Sequence, residues 1–173
     1  MKNYQLFFDP FKNKNINIME IGIARGSSLK TWSSFFRNAS IDGIDINKNC
    51  KKLCKNYDNI NIIIDDAKFY KTEKKYDIII DDGSHLSGDI IETFNNLINN
   101  LNKNGLYVIE DMDSCKEKKY IMGFVNRDNE IDINEFVKLN NRDRLNKFLN
   151  ELENNKNYKI ELREDKICFI RKL

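Results

Sequence analysis

The chain has 173 residues, of which 40% are apolar and 32% charged, as expected for one globular domain over residues 1–173. Its 29 lysines and arginines nearly balance its 27 aspartates and glutamates, so we expect no nucleic-acid partner. No apolar run approaches the roughly 18 residues of a membrane span, and the first residues lack a signal-peptide core, which predicts no membrane partner and a cytoplasmic location.

Short β-branched runs alternate with helical stretches along the first 110 residues. This alternation is typical of a parallel sheet with crossover helices. Ser27 or Ser28 is a natural N-cap for the first helix. The predicted elements are a strand at 16–23, a helix at 28–36, a strand at 41–46, a helix at 47–56, strands at 60–64 and 76–80, a helix with an apolar stripe from 90 to 101 that Asn104-Gly105 stops, and a strand at 106–109.

The C-terminal third adds a helix and a hairpin to this pattern. A helix is predicted from about Asn134 to Asn154, and the strands at 158–162 and 167–170 are close enough in sequence to form a hairpin. The polar stretch 113–133 follows the carboxyl end of a strand and is predicted to be an active-site loop. The expected fold is therefore α/β, with a mostly parallel seven-stranded sheet that ends in an antiparallel hairpin.

Carboxylates stand at or near the ends of all five predicted parallel strands. In an open α/β sheet, ligands bind beyond the carboxyl ends of the strands. Aspartate also favours turns and N-caps, but that preference alone does not predict an acid after every strand. We therefore expect one shared site from these acids: Glu20, Asp45, Asp65, Asp66, Asp81, Asp82, Glu110, Asp111 and Asp113.

The glycine turn after the first strand indicates the class of ligand. It reads Gly22-Ile23-Ala24-Arg25-Gly26 and lacks the middle glycine that lets a dinucleotide pyrophosphate approach the backbone. It also lacks the Gly-Lys-Ser/Thr ending of a nucleotide-binding P-loop. Glu20 just before the turn suits a ligand with a cationic end and no phosphates. S-adenosylmethionine, with its ammonium and sulfonium groups, is such a ligand.

Five segments carry a family resemblance: MEIGIARGSSLKTW, IDGIDIN, DDAK, YDIIIDDGSH and GLYVIEDM, in this order. They resemble class I S-adenosylmethionine-dependent methyltransferases, which implies a Rossmann-like methyltransferase fold and an enzyme. More narrowly, they are similar to the metal-dependent sugar and macrolide O-methyltransferases of the macrocin and mycinamicin type and to the cephalosporin-hydroxylase-like proteins. The resemblance covers about residues 4–112, and IDDGSH followed by IED is its most specific part.

The resemblance implies positions for the three parts of S-adenosylmethionine. Asp45 would take the ribose hydroxyls, and Asp66 with Ala67 the adenine. Asp81 or nearby backbone would complete the pocket. The methionine portion would lie against the glycine turn and the acid before it: Glu20, Gly22, Ala24, Gly26 and Ser27.

The resemblance also implies a divalent cation, usually magnesium, held by Asp82, Glu110 and Asp111. Three carboxylates with open positions for a substrate diol suit Mg²⁺, which prefers oxygen ligands. His85 is the only histidine and stands three residues after Asp82, where catechol O-methyltransferases carry their base. With an ordinary pKa of about 6.5 it can accept a proton near neutrality. The expected reaction is methyl transfer to a hydroxyl of a small-molecule or glycan acceptor with vicinal hydroxyls.

Several alternatives stay open at this stage. The chain could methylate another small molecule, including catechol-type acceptors, or be a non-catalytic cofactor-binding subunit. Asp113 could be a further ligand, a substrate contact or a turn residue. Only about 15 residues precede the first strand, so an open site could take a larger acceptor, or a second copy in a homo-oligomer could close it.

Two groups outside these motifs carry weaker expectations. The aromatic residues Tyr4, Phe7, Phe8 and Phe11 are expected to pack the N-terminus onto the sheet, with substrate stacking as the alternative. Arg142 and Arg144 belong to the region of the last predicted helix and are expected to form surface salt bridges. Contact with a phosphate or an acidic sugar is the second interpretation of these arginines.

Overall fold

The computed structural model describes residues 2–113, 137–138 and 140–173, so the predicted loop at 113–133 lies outside the described residues except for Asp113. Its centre is one seven-stranded sheet with strand order β3-β2-β1-β4-β5-β7-β6. The strands are β1 (Ile16–Ile21), β2 (Ala39–Asp45), β3 (Ile60–Ile64), β4 (Tyr76–Asp81), β5 (Leu101–Ile109), β6 (Tyr158–Arg163) and β7 (Cys168–Lys172).

The first five strands are parallel, and β7 runs antiparallel to both β5 and β6. This confirms the predicted α/β fold with its C-terminal antiparallel hairpin. None of the described helices is long and apolar enough to cross a membrane. The helices are α1 (Lys2–Phe8), α2 (Ser27–Phe35), α3 (Ser87–Leu97) and α4 (Arg142–Glu153), with 3₁₀ turns at Asp9–Phe11, Lys48–Lys52 and Ile98–Asn100.

Helices cover both faces of the sheet, which explains why the central strands are apolar almost throughout. On one face, Phe8 of α1, Leu29 of α2 and Phe36 just after α2 lie in the core. On the other, α3 and α4 contribute apolar side chains such as Phe94 and Leu149. Because successive strand residues point to opposite faces, both cores form from the same strands.

The N-terminal aromatic residues pack onto the sheet, as the sequence predicts. Phe7, Phe8 and Phe11 are buried, and the Phe7 ring stacks on Phe169 of β7 with ring centroids 4.4 Å apart. Tyr4 packs edge-on against Phe169 as well. The first helix is thereby anchored to the last strand of the chain.

One predicted crossover helix is absent from the described residues, and a second connection among them is also without a helix. The predicted helix at 47–56 is wrong: a 3₁₀ turn covers Lys48–Lys52, and Cys54 has a φ of 57°, which an α-helix does not allow. Residues 65–75, between β3 and β4, contain no helix. Both connections are irregular, and the Lys48–Lys52 turn packs against the edge strand β3.

Side-chain amides of α3 and the turn after it stabilise the segment between β3 and β4. Asn96 donates to the carbonyls of Ala67 and Tyr70, both at 2.9 Å. Asn100 donates to the carbonyl of Thr72 at 2.7 Å and to that of Lys74 at 3.0 Å. These bonds satisfy backbone carbonyls that a helix would otherwise satisfy internally.

The boundary between α3 and β5 also differs from the prediction. The helix ends at Leu97 and β5 begins at Leu101, because Leu101 pairs with Tyr76 before an irregularity in the ladder. Gly105 lies within this strand rather than after the helix. A β-carbon there would come within 2.9 Å of the Asp77 carbonyl oxygen, so the glycine allows two strands to approach.

A buried carboxylate in the middle of β2 links this strand to β3 and β4. Asp42 is 4% exposed, and its Oδ2 accepts hydrogen bonds from the Tyr76 hydroxyl and the Lys74 ammonium, both at 2.8 Å. Its Oδ1 accepts a bond from Asn61 at 3.1 Å. Without this side chain Tyr76 and Asn61 would lose this acceptor, and among the described residues the Lys74 ammonium would keep only the Ser40 hydroxyl, at 3.2 Å.

Replacing Asp42 by alanine is therefore expected to lower the free energy of unfolding by about 2–3 kcal/mol, since a buried hydroxyl and a half-buried ammonium lose their carboxylate partner. Urea denaturation at neutral pH measures this. The control is Asp58→Ala at an exposed turn position, which is expected to change stability by at most about 0.5 kcal/mol. Equal losses in the two variants would contradict the structural role of Asp42.

Candidate active site

A cleft opens at the carboxyl edge of the sheet, where connections leave β1 and β4 in opposite directions. Such switch points are where open α/β sheets bind ligands. The cleft has a volume of about 400 Å³, within the usual range for small-molecule sites. Five of the predicted cofactor residues line it: Gly22, Asp45, Asp66, Ala67 and Asp81.

Gly22 brings the ends of β1 and β4 together. Its φ is +80°, and a β-carbon there would lie 2.2 Å from the Asp82 carbonyl oxygen and 2.6 Å from the Cα of Gly83. Its amide donates to the Ile44 carbonyl at 2.9 Å, and the Asp82 amide donates to the Ile21 carbonyl at 2.9 Å. Only glycine fits this position, for reasons of both conformation and space.

The rest of the turn is held by Asp45 at the end of β2. Its Oδ2 accepts hydrogen bonds from the amides of Ile23 at 3.1 Å and Ala24 at 3.3 Å, and its Oδ1 accepts one from Asn47 at 2.8 Å. Carboxylate oxygens can each accept a second bond, so Asp45 can position the turn and still bind hydroxyls of a ligand.

The N-cap prediction for α2 is wrong. Gly26, with φ +73°, occupies the cap position and no side chain caps the helix. Ser27 is the first helical residue. Ala24 and Gly26 both have a left-handed backbone, so a glycine and not a serine stands where the helix begins.

Asp66 and Ala67 form the far wall of the cleft. The Asp66 Oδ1 accepts the Lys68 amide at 2.9 Å, and Ala67 is buried. Ile46, which the sequence analysis did not select, also lines the cleft although it is 73% exposed. An exposed isoleucine beside a strand-ending acid is the signal that could have identified it, since it offers an apolar surface to a flat ligand.

A second set of residues missed from sequence connects this wall to the loop after β4. The Lys68 ammonium lies 2.7 Å from Asp89 Oδ1, and the Ser84 hydroxyl donates to Asp89 Oδ2 at 2.6 Å. All three side chains line the cleft. No local pattern marks them, because they come from a loop, a helix and a turn.

The pleat of the sheet divides the acids between its two faces. In the strand register, Glu20 lies beside Ile80, and Ile80 beside Val108. Since every second residue points to the same face, Glu20 shares the α1–α2 face with the residues two places further along, Asp82 and Glu110. The neighbouring Asp81 points to the other face.

Asp81 is buried with a hydrogen-bonded carboxylate. Its Oδ2 accepts the Tyr107 hydroxyl at 3.3 Å and its Oδ1 the Gly83 amide at 3.3 Å. Burial raises the pKa of Asp81 to about 7, against the opposing effect of the Gly83 amide. It closes the floor of the cleft rather than reaching the solvent.

Glu20 is 1% exposed, and its Oε2 has no hydrogen-bond partner among the described residues. Burial raises the pKa of Glu20 to about 7, although a hydrogen bond from the Ser28 side chain acts in the opposite direction. A buried carboxylate oxygen without a donor is costly. A cationic or hydrogen-bonding group would satisfy it, but Glu20 is not among the residues that line the cleft, so its contact with the cofactor stays a prediction.

Three side chains after β4 and β5 meet in one group that could hold a metal ion. Potential ligand atoms of Asp82, His85 and Asp111 all lie within 4.8 Å of one another. Burial and then the negative charge of Glu110 raise the pKa of Asp82 to about 8. In the described part of the chain no lysine or arginine pairs with Asp82, Glu110 or Asp111. A divalent cation would supply the missing positive charge.

Glu110 differs from the other two predicted metal ligands. The Tyr4 hydroxyl of α1 donates to Glu110 Oε1, and burial raises the pKa of this carboxyl. The structure therefore brings Asp82 and Asp111 together with His85, and directs one oxygen of Glu110 to the N-terminal helix. Glu110 is not part of the group of three that could hold a metal ion, so its predicted role as a ligand stays a prediction.

His85 has a left-handed backbone with φ 59°, as does Asp111 with φ 45°. The His85 Nε2 lies 3.9 Å from Asp111 Oδ2. Burial lowers the pKa of His85, against the opposing charges of Asp111 and Asp113. The imidazole is thus mostly neutral at pH 7, and two non-glycine residues in a rare conformation place it beside the acids.

Replacement of Gly22 by alanine is expected to cost more stability than the same change at Gly26. Both positions need a left-handed backbone, which costs alanine about 1–2 kcal/mol. At Gly26 the nearest atom to the new β-carbon would be the Cys54 sulfur, at 3.0 Å, and the Leu53 side chain would lie at an ordinary contact distance of 3.6 Å. At Gly22 it would collide with the β4 backbone. Urea denaturation of both variants measures the difference, and equal losses would exclude the collision.

Solved structures of other proteins share this fold. No model of a protein family matches the chain. A structure of the MycE methyltransferase from the mycinamycin biosynthetic pathway, in complex with Mg, SAH and mycinamycin VI, matches 99% of this chain and 48% of its own, with a TM-score of 0.76 and 25% identity. SAH-bound methyltransferase PaMTH1 from Podospora anserina shares the fold, with a TM-score of 0.69 over 99% of this chain and 78% of its own at 17% identity. The fold is that of class I methyltransferases.

Relatives with similar sequences point to one group within the class I methyltransferases. The 8-demethyl-8-α-L-rhamnosyl tetracenomycin-C 2′-O-methyltransferase of Streptomyces olivaceus is 31% identical over 123 residues, which are 63% of this chain and 32% of that protein. The mycinamicin VI 2″-O-methyltransferase of Micromonospora griseorubida is 33% identical over 121 residues, 64% of this chain and 30% of that protein. This chain therefore spans about a third of the length of these relatives. The resemblance to sugar O-methyltransferases of the mycinamicin and macrocin type is confirmed.

Proposed function

We propose that this chain is an S-adenosylmethionine-dependent O-methyltransferase that uses Mg²⁺ and methylates a hydroxyl of a sugar or a glycosylated small molecule. One observation carries the proposal: an acidic cleft at the switch point lies directly beside the group formed by Asp82, His85 and Asp111. A cofactor site and a cation site at one sheet edge are what a metal-assisted methyl transfer needs. The relatives' names support the sugar acceptor.

The charge of the cleft favours this cofactor over phosphate-bearing nucleotides. Among the described lining residues, five carboxylates face one lysine, Lys68. A pyrophosphate would meet like charges there, whereas a sulfonium and an ammonium would not. When bound, S-adenosylmethionine supplies a methyl group on a positively charged sulfur. We assign the methionine end to Glu20 and the glycine turn, the ribose to Asp45, and the adenine to Asp66 and Ala67.

We assign the cation to Asp82 and Asp111, with Glu110 as the predicted third ligand. A Mg²⁺ ion held there would supply Lewis-acid chemistry, lowering the pKa of a coordinated hydroxyl. The side chains themselves provide oxygen ligands on two adjacent strand ends, which leaves the solvent side open to an acceptor with two neighbouring hydroxyls.

His85 is the proposed general base. Because burial keeps its imidazole neutral, it can take the proton of the acceptor hydroxyl during in-line attack on the methyl carbon. The Asp111 carboxylate, 3.9 Å from Nε2, then stabilises the imidazolium. Such a base contributes roughly 10²–10⁴-fold to the rate.

Binding of S-adenosylhomocysteine at about 100 times its dissociation constant is expected to stabilise the protein by about 2.7 kcal/mol, a shift of about 5–11 °C in Tm. Thermal unfolding measures this with and without MgCl₂. NAD at the same concentration is the control and should give no shift, because the cleft repels its pyrophosphate. A shift with NAD, or none with S-adenosylhomocysteine, contradicts the assigned cofactor.

His85→Ala is expected to lower turnover by roughly 10²–10⁴-fold while the S-adenosylhomocysteine shift persists, because the cleft is left intact. The assay measures S-adenosylhomocysteine release with an acceptor found by screening glycosylated small molecules. His85→Gln, which keeps a polar group but no basic nitrogen, should be equally slow. Near-normal turnover would exclude His85 as the general base. A weakened Mg²⁺ affinity in both variants would instead identify His85 as a metal ligand.

A further inference from the structure

The segment that carries Asp111 leaves the sheet without a neighbouring strand to hold it. The last bond of the β4–β5 ladder is that of the Glu110 amide to the Asp81 carbonyl, at 2.9 Å. Asp111 follows with φ 45°, and its side chain is 58% exposed. A left-handed aspartate at an exposed position keeps its conformation only where its surroundings impose it.

The support comes one residue later, at Met112. This side chain is fully buried in the core against α4. Its amide donates to the carbonyl of Lys166 in the turn between β6 and β7, at 3.0 Å. Its carbonyl accepts a hydrogen bond from Arg142 Nη1 at 2.5 Å. The residue after Asp111 is thus fixed through its side chain, its amide and its carbonyl.

Arg142 ties this contact to two further parts of the chain. It is the first residue of α4, and the same Nη1 also donates to the Asp165 carbonyl at 3.1 Å. One guanidinium therefore joins the exit of β5, the start of α4 and the β6–β7 turn. The two bonds go to backbone carbonyls, not to the acidic partner of the surface salt bridge that the sequence predicts for this residue.

We infer that Arg142 is a positioning residue for Asp111, holding the exit of β5 so that the Asp111 carboxylate stays beside Asp82 and His85. The inference rests on the proposed function, because it concerns the cation assigned to that group. Arg142 touches none of the three side chains and acts through the Met112 carbonyl. Groups that orient a metal ligand in this way commonly change metal affinity by about 10–100-fold when they are removed.

Arg163 provides a matched control. It also joins α4 to the hairpin, with bonds from Nη1 to Asn150 at 2.7 Å and from Nη2 to Asn146 at 3.0 Å. Among the described residues, its recorded partners all lie on α4. Arg163→Gln therefore loosens the same two elements as Arg142→Gln without removing a bond to the β5 exit.

The test uses the whole chain without cofactor and Mn²⁺ as the probe, titrated by electron paramagnetic resonance, with amide exchange of Met112 followed by NMR. Arg142→Gln is expected to weaken Mn²⁺ binding by about 10–100-fold and to speed exchange at Met112. Arg163→Gln should leave both unchanged. Arg142→Lys, which keeps one charged donor, should recover part of the affinity.

Three results would overturn the inference. If Arg142→Gln bound Mn²⁺ with wild-type affinity, the positioning role of Arg142 would be overturned while the assigned cation site would stand. Equal losses in the Arg142 and Arg163 variants would show that general loosening of α4, and not the bond to Met112, changes the site. A wild-type chain that binds no Mn²⁺ would overturn the assigned cation site and this inference together, which separates failure of the proposed function from failure of the positioning role.

Discussion

The contact between Gly22 and the backbone of Asp82 and Gly83 is the constraint on which the site depends. Two strand ends approach so closely that a β-carbon would lie 2.2 Å from a carbonyl oxygen. This approach sets the distance between the turn after β1 and the loop after β4. The cleft lies on one side of this contact, and the acids of the proposed cation site lie on the other. The absence of a side chain at Gly22 therefore determines the spacing of both proposed sites.

Adjacent carboxylates serve different purposes because the strand pleat separates them. Asp81 is buried at the floor of the cleft with the Tyr107 hydroxyl, whereas Asp82 points to the opposite face, toward Asp111 and His85. Two neighbouring acids on one strand end can therefore belong to the cofactor site and to the cation site without competing. The close distance between those sites, which methyl transfer requires, follows from the single peptide bond between the two residues.

Side chains carry much of the support that helices provide elsewhere in α/β proteins. Asn96 and Asn100 bind four carbonyls of the segment between β3 and β4, and Asp45 holds two amides of the glycine turn. Amide and carboxylate groups suit this work because each makes two bonds at defined angles. The walls of the cleft are thus attached to α3 and β2 although the connecting segments are short.

The sequence by itself determined the strands, the glycine turn and the acids at the strand ends, because periodicity, the need for glycine and the ends of apolar runs are local properties of the chain. The tertiary structure alone decided the start of β5, the irregular course of residues 47–56, the Lys68–Asp89 pair in the cleft, and the bond from Tyr4 to Glu110. That last pair is 106 positions apart in sequence. Such contacts form only when the sheet brings distant segments together, so no local pattern encodes them.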